Sequence, residues 1–351
     1  MPESLWKRVS ELPLEIESFE LERLELPVAP EFTRVTTVIH LRGGGEDGVG
    51  EDVTYGQPEQ DLFQREGPKL PLAGSWTLAR FSEHLDSLEL FAEEPAQPAY
   101  RDYRRWALES AALDLALRQA GRSLAAALGR EPKPITFVAS MRLPEPASLE
   151  PLARWLELYP WLRFKLDPTS SWDDGFVDRL AALGKVDVAD LKGAYKGTPV
   201  DQPPDPALYR RIAERLPNAL IEDPALTAET EPVLEPHRDR VTWDAPIHAV
   251  DDVLALPFAP KVLNVKPSRF GPVRRLFAFY DWCAENGVRL YGGGQFELGP
   301  GRGQIQYLAS LFHPDGSNDV APGGFNAGLQ AGLPASPLAP AAADAPGFRL
   351  G

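Results

Sequence analysis

Cysteine is almost missing from this 351-residue chain: a single residue, Cys283, excludes an internal disulfide framework and fits a reducing compartment. Histidine is scarce as well. The five present show no zinc-type spacing, so carboxylates are the expected donors for any metal. No apolar run approaches the roughly 18 residues of a membrane span, and the first residues lack a basic-then-apolar leader pattern. A cytoplasmic location is the expectation. Positive charge is in deficit, with 36 Lys and Arg against 51 Asp and Glu and a net charge of −15. That argues against nucleic acid and anionic membranes as partners, but not against an anionic small molecule neutralised locally by a metal or by lysines. What is present in quantity is apolar residues, at 43%, enough for a large core. The length suggests two domains, or one barrel with a smaller companion.

Residues 34–42 and 49–55 alternate in the manner of strands around the glycine-rich stretch 43–48, which predicts a hairpin. Residues 57–75 are polar and irregular and read as a loop. Helical spacing returns at 76–91, and most clearly at 103–128 with Gly129 as the stop. Trp76 and Trp106 fall at helical spacing among apolar neighbours and are expected in the core. This makes an α+β domain of residues 1–132. From residue 133 the pattern changes to strand followed by helix. Strands are expected at 135–141, 161–166 and 186–191, in the runs 218–222, 240–244 and 262–266, at 288–291, and near 319–322. Such alternation predicts an α/β fold, a (β/α)7β TIM-type barrel over residues 133–325. Residues 326–351, rich in alanine and proline, read as an irregular tail or strap.

Chemistry concentrates where the expected strands end. Lys165, Asp190, Glu222, Asp244 and Lys266 close five successive strands, and barrel sites lie at those ends. A lone Asp-Pro or Lys-Pro after a strand is usually a turn; five on consecutive strands form a constellation. Three carboxylates without a cation would repel one another, so Asp190, Glu222 and Asp244 suit Mg2+, or Mn2+ in its place. Lysines beside such a cation suit proton transfer, provided an amine of ordinary pKa about 10.4 is lowered to about 7 or 8. Arg163 shares a strand face with Lys165 and is expected to point inward with it, as a site residue or as its ion-pair support. Lys192, inward if Asp190 is, reads as a structural cation. Glycines at 292–294 and 299–303 offer either a phosphate cradle or a tight strand-to-helix turn, and the turn is preferred.

On these residues the chain resembles the enolase superfamily, and within it the muconate-lactonizing group that includes o-succinylbenzoate synthases and dipeptide epimerases. The marks are Gly48, Gly50, Glu51 and Asp52 in the hairpin, the helical stretch 107–114, Arg163 and Lys165 (the family's Lys-x-Lys), Asp190, Glu222, Asp244, Lys266 with the following 267–271, and Glu297 with 298–302. The resemblance runs from about residue 30 to 325. It implies removal of the proton alpha to a substrate carboxylate, with Mg2+ holding the resulting anion; a lysine base with Mg2+ is the established pattern of that family. It also implies that Lys165 and Lys266 face the substrate from opposite sides, with Arg163, Lys192 and Glu297 in support. The N-terminal domain would be a cap that selects the substrate through the 43–46 turn and the 56–68 loop. A homodimer or octamer is common in the family.

Several positions depart from the family pattern. Arg163 replaces the first lysine of Lys-x-Lys, which keeps charge but not geometry. Lys192 stands where the family often has asparagine, and Ala245 where an acid is common. The stretch 319–322 lacks the second acid of dipeptide epimerases, and no histidine closes the sixth or seventh strand. The departures point to a branch with its own carboxylate substrate, acted on by lyase, cycloisomerase or racemase chemistry. They also keep open a second reading, a non-catalytic metal-binding barrel that binds a ligand or partner.

Overall fold

The computed structural model describes residues 3–29, 32–196 and 201–349. The first part holds β1 (Pro13–Ile16), β2 (Ser18–Ala29), β3 (Phe32–Gly43), β4 (Glu46–Asp52), α1 (Gln57–Glu66), β5 (Gly74–Thr77), α2 (Leu78–Asp86), α3 (Ala99–Gln119) and α4 (Leu124–Leu128). Strands β2, β3 and β4 make an antiparallel sheet in that order, and β1 pairs with β5. The expected hairpin is there, closed by Gly44 and Gly45 between the paired Gly43 and Glu46. Helix α3 is buried without a break from Tyr103 to Leu117, because β4 covers one side and the segment 267–270 the other. Glycine at 48 and 50 permits that approach: a Cβ at Gly50 would lie 2.0 Å from the Ala107 carbonyl oxygen. Gly129 ends α4 in the left-handed conformation, as the sequence anticipates.

Two expectations for this part fail. Residues 57–75 are not an irregular loop; they contain α1 and a 3-10 turn. Its core-facing residues are Gln60 and Phe63 rather than an apolar stripe, so periodicity conceals it. Buried Gln60 donates to the carbonyls of Asp52 and Thr54 at 2.9 and 3.0 Å and so holds the helix to the end of β4. Trp76 is in a strand rather than a helix, half-buried and stacked on His84; Trp106 is in the core.

The second part alternates strand and helix. In order come β6 (Ala139–Met141), α5 (Glu150–Leu158), β7 (Phe164–Leu166), α6 (Asp174–Leu183), β8 (Val186–Asp190), α7 (Pro206–Arg215), β9 (Leu220–Glu222), α8 (Glu231–Leu234), β10 (Val241–Thr242), α9 (Val250–Leu254), β11 (Val262–Val265), α10 (Val273–Asn286), β12 (Arg289–Gly292) and α11 (Pro300–Phe312). Strands β6 to β10 form one parallel sheet in chain order, and β11 with β12 a second. Single backbone bonds cross the gaps: Asn264 N–H to the Trp243 carbonyl at 3.1 Å, Asp319 N–H to Gly292 at 2.8 Å, and Val138 N–H to Asn318 at 2.9 Å. The expected last strand near 319–322 is reduced to isolated parallel bridges at Asn318 and Asp319. Mixed α/β structure around a parallel sheet is therefore what the chain forms.

Beyond residue 326 the chain has no helix or strand among the described residues, yet it is anchored. Leu338 pairs with Ile135, and Phe348 is fully buried against Trp106 and Tyr307 while its N–H reaches Asp114 at 2.6 Å. It is a strap; residues 350 and 351 lie outside the described residues. No helix of the described residues is long and apolar enough to cross a membrane.

Candidate active site

Parallel strands all present their C-terminal ends on one side, so the residues that close β7 to β11 are gathered there. Lys165, inside β7 and 2% exposed, puts Nζ 2.5 Å from Glu222 Oε1, 3.3 Å from Asp190 Oδ2 and 3.7 Å from Asp319 Oδ2. Lys192 donates to Asp190 Oδ2 and lies 3.4 Å from Asp167 Oδ1. Across the cluster, Lys266 Nζ is 2.9 Å from Asp244 Oδ2, and Arg269 Nη1 is 3.1 Å from Asp244 Oδ1. Tyr195 donates to Asp244 at 3.1 Å and accepts from Arg269 at 3.2 Å. Glu222 also receives the Tyr291 hydroxyl.

The carboxylates outnumber their cations. Asp167, Asp190, Glu222, Asp223, Asp244 and Asp319 share Lys165, Lys192, Lys266 and Arg269, and most of these groups are buried. The surplus is not spread evenly. Burial works against ionisation of Asp244, but Arg269 and Lys266 hold its carboxyl well below the usual range. Asp190 is likewise lowered, with burial opposed by Lys165 and Lys192. Glu222 goes the other way: burial pushes it up to about 8, with Lys165 opposing and Asp190 and Asp244 adding to the rise. Burial, then Asp244 and Asp190, lift Asp223 to about 7. Burial would lower the Lys165 ammonium, but Glu222 and Asp190 outweigh it and hold it well above the ordinary lysine value. In this arrangement the Lys165 ammonium keeps its proton, where a lowered amine was anticipated.

Asp190, Glu222 and Asp223 bring carboxylate oxygens within 4.8 Å of one another, all three buried. A hard divalent cation fits that donor set, since it would supply the positive charge the surplus carboxylates lack. The trio holds Asp223 where Asp244 was expected; Asp244 lies beside it, held by Lys266, Arg269 and Tyr195. Asp223 follows Glu222 directly and would face away in a regular strand. A left-handed φ of +46° turns it in, where it accepts the N–H groups of Asp244 and Ala245 at 2.8 and 3.0 Å. Its neighbours in kind are Lys192 and Phe296; the non-glycine residues of positive φ among those described all follow a parallel strand at this end.

Two other expected residues make their bonds outside this cluster. Arg163 points toward the opposite end of the strands, bonded to Asp187 at 2.5 Å and to the Gly184 carbonyl at 3.1 Å. Sharing a face with Lys165 does not bring it to the same depth: two residues of strand span roughly 7 Å. Glu297 lies in the loop before α11, accepting the Gln295 N–H at 2.6 Å and pairing with Arg302 at 3.3 Å. Sequence reading passed over Asp167 and Asn264, although each is two residues from a site lysine and so shares its face. It also passed over Asp223, Asp319, Tyr195 and Tyr291, whose partners come from distant elements.

The glycine-rich turn before α11 is not left open for a phosphate. Its N–H groups at Leu298, Gly299 and Gly301 donate to the buried Glu51 carboxylate at 2.6, 3.0 and 2.9 Å. Glu109 does the same for α10, accepting the Val273 N–H at 2.8 Å. Buried Arg34 joins the parts further: it donates to the carbonyls of Val53 and Thr54 on one side and of Gln295 and Phe296 on the other. Tyr103 of α3 accepts from Gln295 at 3.1 Å. The 43–46 turn is instead held beside Gln119, at the other end of α3.

The family model described as "Domain of unknown function (DUF8230) C-terminal domain" matches residues 131–327, and its N-terminal counterpart residues 7–127. An o-succinylbenzoate synthase of Bacillus subtilis (strain 168) is 27% identical over 216 residues, 58% of this chain and 55% of that protein. The chain thus spans about half the length of that curated relative. An N-succinylamino acid racemase of Amycolatopsis sp is 28% identical over 315 residues, 85% of this chain and 84% of that protein. Among solved structures, a dipeptide epimerase from Methylococcus capsulatus complexed with Mg ion superposes with a TM-score of 0.65 at 19% identity, covering 86% of this chain and 88% of that one.

Proposed function

The chain belongs to the family described as DUF8230 and has the fold of the enolase superfamily, and we propose that it is a Mg2+-dependent lyase or isomerase that removes the proton alpha to a substrate carboxylate. The observation that carries this reading is the pair of buried lysines, Lys165 and Lys266, on either side of a carboxylate cluster richer in negative charge than its cations balance. The strands of the second part are read as one (β/α)7β barrel, supported by the backbone bonds that bridge every gap between them. Residues 1–132 would be the cap, 133–325 the barrel and 326–351 the strap. A reducing, cytoplasmic setting suits the single buried thiol of Cys283.

Asp190, Glu222 and Asp223 would hold the cation, with Asp244 close by. Bound there, Mg2+ would supply Lewis-acid stabilisation of the negative charge that grows on the substrate carboxylate, a contribution of several kcal/mol. The lysines move the protons. One takes the alpha proton and the other either returns a proton to the opposite face, which gives racemisation, or stabilises the anion while a leaving group departs. Tyr195 and Arg269 fix Asp244, and Asp244 in turn fixes the Lys266 ammonium. Tyr291 and Lys165 fix Glu222. Arg34 and Glu51 hold the cap, through segment 53–54 and β4, against the barrel loop 295–299.

Succinylated carboxylates, the compounds named for two of the relatives, are the first substrates to try. In D2O with Mg2+, a substrate should exchange its alpha proton for deuterium, seen by NMR. Absence of exchange across a broad set of carboxylic acids would overturn the catalytic reading. One observation favours a second reading, a barrel that binds without catalysis: Lys192 already engages Asp190. Mg2+ binding without any exchange would select it.

A further inference from the structure

Proton transfer between Lys165 and Lys266 leaves Lys192 without a part, although it sits inside the acid cluster. It follows β8 by two residues in a left-handed conformation, φ +55°, which long side chains rarely adopt. That backbone folds the residue back on its own strand end. Its N–H reaches Asp190 Oδ1 at 3.2 Å and its ammonium reaches Oδ2, so one residue engages both oxygens of a carboxylate in the converging trio. The ammonium has a second acceptor at hand, Asp167 Oδ1 at 3.4 Å, and the Tyr195 ring lies 5.1 Å away. Lys165 has no such freedom, packed within β7 and fixed between Glu222 and Asp319.

On the divalent-cation reading proposed above, we infer that Lys192 is a resident cation that competes with the metal for Asp190 and passes its ammonium to Asp167 when the metal binds. Asp190 Oδ2 already faces two ammonium groups, Lys192 in contact and Lys165 at 3.3 Å, so a metal ion added to that carboxylate would meet strong repulsion at low dielectric unless one of them moved. The ammonium is the movable one: it sits on a flexible stem and needs only a change of rotamer to exchange Asp190 for Asp167. Asp167 thereby becomes part of the device, since it lowers the cost of moving Lys192 aside. Metal affinity is set by this exchange as well as by the ligands.

Titration calorimetry with Mg2+ on the full chain tests this. Asparagine tolerates the left-handed backbone, so Lys192→Asn retains the local fold. It should bind Mg2+ at least about tenfold more tightly than the natural chain, and Asp167→Asn should bind it several-fold more weakly. Glu222→Gln marks the heat that comes from outside the cluster. Mg2+ binding by Lys192→Asn alone, with the natural chain below detection, also supports the exchange. Equal or weaker binding by Lys192→Asn, with normal binding by the natural chain, overturns the role of Lys192 and leaves the metal site standing. No Glu222-dependent binding in any variant overturns both.

Discussion

Strands β7 and β8 are bracketed by two ion pairs, and the pairs differ in almost every respect but charge. At the N-terminal end, Arg163 and Asp187 meet as one pair, with side chains 38% and 14% exposed, beside an open cavity of about 580 Å3 that Asp187 and Tyr291 help to line. At the C-terminal end, Lys165 and Asp190 are 2% and 0% exposed and share further partners, among them more carboxylates than the local cations balance. The first arrangement costs the fold little and does little for it. The second is costly to bury and is held through Glu222 on Lys165 and Lys192 on Asp190. A fold that keeps a crowded set of buried carboxylates and cations at one end, and a half-exposed pair at the other, separates the end proposed for chemistry from the end read as support.

Substitutions at the two ends should separate most sharply. Lys165→Ala removes the ammonium that Glu222, Asp190 and Asp319 share in a buried network, and without Mg2+ it should cost about 3–5 kcal/mol in urea unfolding. Added Mg2+ should restore part of that, because it replaces the missing charge. Arg163→Ala should cost about 1 kcal/mol, since its pair is half-exposed and partly screened. Equal losses would erase the distinction. Activity should split the same way: alanine at Lys165 or Lys266 should lower turnover roughly 10²–10⁴-fold, with Arg163→Ala near normal.

The pH dependence of stability should have opposite sign at the two ends. Glu222, raised to about 8 by burial, keeps its proton in the metal-free fold while the unfolded chain ionises near 4.5. Its stabilising contribution is full below 4.5 and is lost as pH rises through about 8. Glu222→Gln should flatten that alkaline decline. Near the other end, His313 is buried with Nδ1 2.7 Å from the Asn318 carbonyl oxygen, and burial lowers it to about 4. Asn318 spends its amide on three carbonyls, so His313 donates from Nδ1 and is neutral. Its contribution is full above 6.5 and is lost as pH falls toward about 4, by up to about 3 kcal/mol. His313→Gln should flatten that acid decline while leaving the alkaline one unchanged. Between the first and second parts, Glu51→Gln keeps some bonds to the head of α11 and should cost about 1 kcal/mol in thermal unfolding.

How much of this was legible in the sequence follows the same division. Lys165, Asp190, Glu222, Asp244 and Lys266 could be read because each closes a short apolar run, and a parallel sheet gathers such ends on one side. The gathering itself was inferred from alternation, not from any residue. Asp223 was illegible because its entry to the site depends on a left-handed backbone that no neighbour announces. Arg163 was misplaced because side-chain alternation gives a face but not a depth. The helix at Gln57–Glu66 was missed because a buried glutamine, rather than an apolar stripe, fixes it. The eighth strand was over-read, since two bridges do what a ladder was expected to do.

Exchange of the substrate alpha proton tests the central claim most directly. The natural chain with Mg2+ in D2O should incorporate deuterium at the carbon next to the carboxylate, Lys165→Ala and Lys266→Ala should each lose that incorporation, and Arg163→Ala should retain it. Incorporation that persists in both lysine variants, or that vanishes in Arg163→Ala while its fold is intact, would contradict the account.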